Sequence, residues 1–259
     1  MPELLAGKTA LILGVANKWS LAYAIAQAFR REGAKLLLTY QGERQKETVT
    51  ELGSELGAAA IFECDVTREG DLAKLAETVR QHGGPNGRLD TLVHSIAFAN
   101  REDLTKPFLE TSREGYLLAQ DVSAYSLVST ARTVAPLMTE GGSVMTLSYL
   151  GATRVVTNYN VMGVAKAALE ACVRYLSSDL GPSNIRVNAI SAGPVKTASA
   201  RAVAGLSKML ETMPTRAPLR RNCTPEEVAD TAVFLASDLG RGVTGNILFV
   251  DAGYQVMGF

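Results

Sequence analysis

Short, almost unbroken apolar runs alternate along the chain with longer stretches in which apolar residues recur every three or four positions. The runs at 8–14, 35–40, 60–64, 91–94, 143–147, 185–190 and 247–250 predict seven buried strands. Leu21, Ala24, Ile25, Ala28 and Phe29 set out one face of a helix over 21–31, and further helices are predicted near 48–56, 72–81, 116–138 and 159–180. A last one opens at Thr224-Pro-Glu-Glu227, a capping box. Strands alternating with helices imply right-handed crossovers and a parallel sheet covered on both faces. The expected fold class is therefore α/β, a doubly wound seven-stranded parallel sheet in a single domain over residues 1–259. The stretch 197–206 departs from the pattern. It is poor in large apolar side chains and follows a Pro, so a mobile segment is expected near 195–213.

Composition narrows what such a domain does. The 26 Lys and Arg balance the 26 Asp and Glu, so no overall positive field recruits nucleic acid or an anionic membrane. The first residues lack a basic segment followed by an apolar run, and no apolar stretch approaches the roughly 18 residues that span a bilayer, so a cytoplasmic location is expected. Cys64, Cys172 and Cys223 show no close spacing with one another or with His82 and His94, which indicates neither a disulfide framework nor a metal site. Charge is uneven in one place. Between 196 and 221, Lys196, Arg201, Lys208, Arg216, Arg220 and Arg221 stand against Glu211 alone, a local excess of +5.

Candidate chemistry concentrates at 147–166. Tyr159 and Lys166 are seven apart, so on one helix they point the same way within about 20° and place a phenol and an ammonium on one face, with Gly163 and Ala167 on the same stripe. A phenol of ordinary pKa ~10 is a poor proton donor to a carbonyl, and a nearby ammonium is expected to favour its ionised form. Tyr149 follows the fifth run, at the strand's carboxyl end, and can enter the same cleft. Gly14 to Leu21 forms the first strand-to-helix turn, where backbone amides and the helix's positive end suit a pyrophosphate, although one glycine replaces the usual three. Ser20 sits at the cap position. Gln41, Asp65-Val66, Ser95-Ile96-Ala97 and 191–197 end other strands on that edge, where open parallel sheets bind ligands.

Together these residues resemble the short-chain dehydrogenase/reductase superfamily, and within it the bacterial enoyl-acyl-carrier-protein reductases of type II fatty-acid synthesis. The likeness rests on Gly14-Val-Ala with Ser20, a Tyr with six residues before the Lys, a second Tyr ten upstream, Ser-Ala-Gly-Pro at 191–194 and Val250-Asp-Ala-Gly. Asn17, Leu21, Ala97 and Ala252 depart conservatively from the pattern. The resemblance implies a Rossmann-type domain that reduces the trans-2,3 double bond of an enoyl thioester on acyl carrier protein with a nicotinamide cofactor, NADH preferred. Tyr159 would bond the thioester oxygen and Lys166 the nicotinamide ribose, while Tyr149 would shape the acyl pocket or assist proton delivery and Ala99 would lie beside the substrate. The dinucleotide would be carried by Gly14, Ser20, Leu21, Gln41, Asp65, Val66, Ile96, Lys166, Val195, Lys196, Thr197, Ala198 and Ser199. A homotetramer is also implied. The alternatives are a short-chain carbonyl or alcohol dehydrogenase, against which the six-residue spacing speaks, and a catalytically silent cofactor-binding scaffold, against which the intact Tyr149, Tyr159 and Lys166 speak.

Overall fold

Each apolar run becomes a strand. In the computed structural model, which describes residues 3–195, 197 and 206–258, the strands are β1 (Thr9–Leu13), β2 (Lys35–Tyr40), β3 (Ala60–Glu63), β4 (Thr91–His94), β5 (Gly142–Ser148), β6 (Ile185–Ala192) and β7 (Ile247–Val250). They lie parallel in the order β3-β2-β1-β4-β5-β6-β7. Progression reverses at the β1–β4 pair, where Leu13 lies beside His94, and this is the crevice in which doubly wound sheets place ligands.

The helices are α1 (Leu21–Arg31), α2 (Glu43–Glu55), α3 (Glu69–His82), α4 (Arg101–Thr105), α5 (Arg113–Gln120), α6 (Ser126–Val134), α7 (Asn160–Leu180), α8 (Leu206–Arg216) and α9 (Pro225–Ala236). Successive strand residues face opposite ways. Ala10, Ile12, Leu36, Leu38, Met145 and Ile190 pack with residues of α1 and α9 in one core, while Leu11, Leu13, Leu37, Leu92, Val144 and Val187 pack with residues of α3, α6 and α7 in the other. Both faces being covered, the central strands read as continuous apolar runs. Cys64 is a core residue, its thiol pushed up to about 12 by burial and by the charges of Asp71 and Asp65. The capping box of α9 forms as expected: Thr224 Oγ1 accepts from the Glu227 amide at 3.3 Å and Glu227 Oε2 from the Thr224 amide at 2.9 Å.

Three elements differ from expectation. The helix expected over 116–138 starts earlier, with Ser112 capping α5, and is interrupted by a π-helical turn at Asp121–Tyr125 before α6 resumes. The wide turn brings two serines onto the sheet edge. Ser123 Oγ accepts from the Phe98 amide at 2.9 Å and donates to the Phe98 carbonyl at 3.0 Å, and Ser126 Oγ lies 2.7 Å from His94 Nε2. The five-residue α4 is too short to show a period. Helix α8 occupies the second half of the segment expected to be mobile, whereas Lys196 and residues 198–205 lie outside the described residues.

Candidate active site

The carboxyl ends of β1, β4, β5 and β6 open onto a cavity of about 370 Å³. Tyr149 follows β5 and Lys166 lies on α7, as expected. Tyr159 does not lie within the helix. It is the cap residue, with φ −113°, and the asparagines on either side both take positive φ, 62° at Asn158 and 27° at Asn160. Asparagine tolerates that region better than most residues. The direction of the Tyr159 ring is thus set by a turn instead of helical phase, and Asn160 Nδ2 ties that turn to the Lys106 carbonyl at 2.6 Å. A Cβ at Gly151 would come within 2.4 Å of the Tyr159 ring, so only glycine admits it there. The Tyr149 and Tyr159 rings meet edge to face, centroids 5.0 Å apart and planes at 70°. Ala167, expected on the same stripe, is exposed.

The expected coupling of phenol and ammonium is not what the electrostatics give. Burial, and then the neighbouring Tyr149, push the Tyr159 hydroxyl above the ordinary tyrosine value, and Tyr149 is pushed up to about 12 by burial and by Tyr254. Both stay protonated at neutral pH. The Lys166 side chain is buried, its ammonium donating to the Leu147 carbonyl at 2.7 Å. Burial pulls it down to about 8, opposed by the charge of Glu170. His94, fully buried between Thr146 and Ser126, is pulled down to about 3 by burial and by the charge of Lys166 and so remains neutral. The site is a pair of protonated phenols near one ammonium of marginal charge, a set suited to stabilising an oxyanion by hydrogen bonds.

At the cavity's other end, Gly14 takes φ +91°, and a Cβ there would lie 2.0 Å from the Ser95 carbonyl oxygen. This turn lets backbone approach closely, and beside it Ser20 and Leu21 bring the positive end of α1 to the cavity wall. Such a cradle fits a dinucleotide's pyrophosphate. Ser20 Oγ accepts from the Tyr23 amide at 3.2 Å and donates to the Asn17 carbonyl at 2.8 Å, so its proton is already engaged.

The family model described as enoyl-(acyl carrier protein) reductase matches residues 14–255. The chain belongs to that family. Among its relatives, the NADH-dependent enoyl-[acyl-carrier-protein] reductase of Bacillus cereus is 53% identical over 258 residues, covering 99% of this chain and 100% of that protein. The NADPH-dependent enzyme of Staphylococcus aureus is 48% identical over 255 residues, 98% of each. The crystal structure of the Bacillus cereus reductase with NADP⁺ and an indole naphthyridinone superposes with a TM-score of 0.96 at 52% identity, over 99% of this chain and 100% of that one. The Anaplasma phagocytophilum reductase with NAD gives 0.95 at 43%, over 100% and 98%.

Within this reductase the cavity gathers Gly14, Ser20, Leu21, Ile96, Ala99, Tyr149, Tyr159, Lys166, Val195 and Thr197 from the residues that sequence singles out. Gln41, Asp65 and Val66 lie beyond its lining. Gln41 and Asp65 come together there. Burial alone would raise the Asp65 carboxyl, but bonds from Thr67 and Gln41 and the charge of Arg68 hold it below the usual carboxylate range. Lys196, Ala198 and Ser199 are outside the described residues. Leu104, Met162 and Met209 are among the wall residues that were not expected. Met209 lies 3.7 Å through its sulfur from the Tyr149 hydroxyl, and the spacing of Leu206, Met209, Leu210 and Met213 is the signal that would have marked α8.

Proposed function

We propose that this chain reduces the trans-2,3 double bond of enoyl thioesters carried on acyl carrier protein, using NADH. The observation that carries the reading is the cavity itself, with two protonated tyrosines and Lys166 at one end and the Gly14–Ser20 cradle at the other. When bound, NADH would supply the hydride to the carbon β to the thioester carbonyl, and a proton from water would complete the reduction at the α carbon. As the electron pair moves onto the thioester oxygen, Tyr159 donates its hydroxyl hydrogen bond to the growing charge. Its raised proton affinity keeps it a donor throughout. Lys166 holds the nicotinamide ribose with the donors left after its bond to Leu147. Tyr149, in contact with the Tyr159 ring, fixes that ring's face and narrows the acyl pocket; Ala99 and Met209 line it. Gly14, Ser20, Leu21, Ile96, Val195 and Thr197 hold the dinucleotide along the sheet edge, with Gln41, Asp65 and Val66 at the adenosine end. Gln41 would meet the ribose hydroxyls there, and the Asp65 carboxylate bonded to it would disfavour a 2′-phosphate. Following cofactor absorbance with a crotonyl thioester and each nicotinamide in turn tests the reading. Turnover with the lower KM for NADH is expected. Oxidation of an alcohol without reduction of the thioester would discard it, and a tenfold lower KM for NADPH would reverse the cofactor choice.

Assembly as a homotetramer through α5–α6 and α7 is part of this reading. Ala124 and Ala131 are buried within the chain, but Val128, Ala135, Val164, Ala168, Ala171 and Cys172 are only half-buried, and Tyr116, Leu117, Tyr125 and Tyr175 are exposed. A second copy covering these faces is expected to give a sedimentation coefficient well above a monomer's at micromolar concentration, and a monomer there would exclude the assembly.

Carrier-protein docking is placed on the basic edge of α8. A second cleft of about 880 Å³ shares Tyr149, Met209 and 192–194 with the cavity, and Arg154, Lys208 and Arg216 line it. The excess is smaller than sequence suggests, because Arg221 pairs with Glu227. Lys208→Glu and Arg216→Glu are each expected to lower kcat/KM for a carrier-protein thioester several-fold at low salt, the loss fading as ionic strength rises. A small thioester is expected to be indifferent; equal losses on both substrates would remove this surface from docking.

A further inference from the structure

A buried acid lies behind the reacting groups. Glu170 is on α7, one turn after Lys166 and one before the exposed Arg174, and only 6% of it is accessible. Its Oε1 accepts a hydrogen bond of 2.5 Å from Ser148 Oγ. That is the short end of the range for a hydroxyl donor, so the carboxyl group is held firmly by Ser148. Ser148 ends β5 between Leu147, whose carbonyl seats the Lys166 ammonium, and Tyr149. Glu170 therefore reaches the site twice, by a bond to the residue between the two anchors and by charge along one helix face. Burial raises the Glu170 carboxyl above the usual glutamate value, and the Ser148 bond and the charges of Arg174 and Lys166 offset that rise only in part. The other groups around the lysine offer it no negative charge: His94 from β4 is neutral, and Tyr159 and Tyr149 are protonated. Among the described residues, Glu170 is the acid whose charge acts on Lys166.

We propose that Glu170 is a positioning residue for cofactor binding: its carboxylate, tied down by Ser148, is the counter-charge that keeps Lys166 an ammonium in its seat on Leu147. This role rests on the reductase reading for the task of Lys166, but it is tested by NADH binding without any enoyl substrate. It can therefore fail while thioester reduction stands.

Glu170→Gln keeps an acceptor for Ser148 and removes only the charge. Because a neutral amide is cheaper to bury than a carboxylate, the variant is expected to fold and melt cooperatively near pH 6.5. Loss of the opposite charge moves the alkaline loss of NADH affinity toward acid by about one pH unit. Fluorescence titration should then show binding on the order of tenfold weaker than the parent's near pH 8.5, and within about twofold of it near pH 6.5. Glu170→Asp, which keeps a charge on the same turn, is expected to return the alkaline limb toward the parent's. A space-filling role would weaken binding equally at every pH. Such a uniform loss, an alkaline limb in Glu170→Gln that coincides with the parent's, or failure of that variant to fold near pH 6.5 overturns the proposal.

Discussion

Replacing Tyr159 by Phe is expected to lower kcat by about a hundredfold while leaving the dissociation constant of NADH within about twofold. The ring keeps its place in the variant, because its edge contact with Tyr149 and its fit over Gly151 involve ring carbons and not the hydroxyl. Only the donor is lost. A donor aimed at charge that develops in the transition state contributes roughly 3 kcal/mol, whereas in the ground state it meets a neutral carbonyl and contributes far less. The loss should accordingly fall on kcat. Steady-state kinetics with a saturating thioester check this, and an unchanged kcat would remove Tyr159 from the oxyanion role. The raised proton affinity of the hydroxyl gives a second expectation: the parent's rate should show no alkaline rise from a tyrosinate below the ordinary tyrosine range.

Lys166→Ala acts on the other partner. It removes a charge-assisted donor from the cofactor's side of the cavity, a loss of about 1.5–3 kcal/mol, or roughly ten- to a hundredfold in NADH affinity, with a smaller fall in kcat once NADH saturates. Dependence on pH separates this from simple loss of packing. Burial brings the folded lysine down from its ordinary value to about 8, so the ammonium dominates below that pH and is lost as pH rises through it. Parent NADH affinity should weaken across about pH 8 while the variant's stays flat. Parallel curves for the two proteins would mean that the charge of Lys166 is not what holds the cofactor.

What the sequence disclosed, and what it did not, divides along a physical line. Strands buried on both faces announce themselves as apolar runs, so β2 and β4 were legible to the residue, as was the apolar edge strand β7, and α1 was equally plain from one apolar stripe and a serine cap. Tyr149, Tyr159 and Lys166 were legible as a spacing, but the reason they converge was not. The Asn158 and Asn160 backbone, with positive φ on both sides of Tyr159, replaces the helical phase that the spacing alone suggests. Nor does sequence order show desolvation, which outweighs any effect of the ammonium on the phenol, since the cavity that encloses Tyr159 is walled by residues as distant in the chain as Gly14 and Phe98. Glu170 escaped for the same reason. Glutamate on a helix reads as a solvated face until the strand that covers it is in place.

The π-helical turn at Asp121–Tyr125 has a consequence for how this enzyme can vary. It holds one residue more than a regular helix would carry over the same rise, and that residue keeps Ser123 on Phe98 and Ser126 on His94 at once. Deleting any single position in the turn would rotate everything after it by about 100°. The cavity wall at Phe98 and the neutral histidine beside Lys166 would then lose their common clamp. A change in the length of this helix would therefore cost more than a substitution on its exposed face, so the count of residues between the two serines is as much a part of the site as the serines themselves.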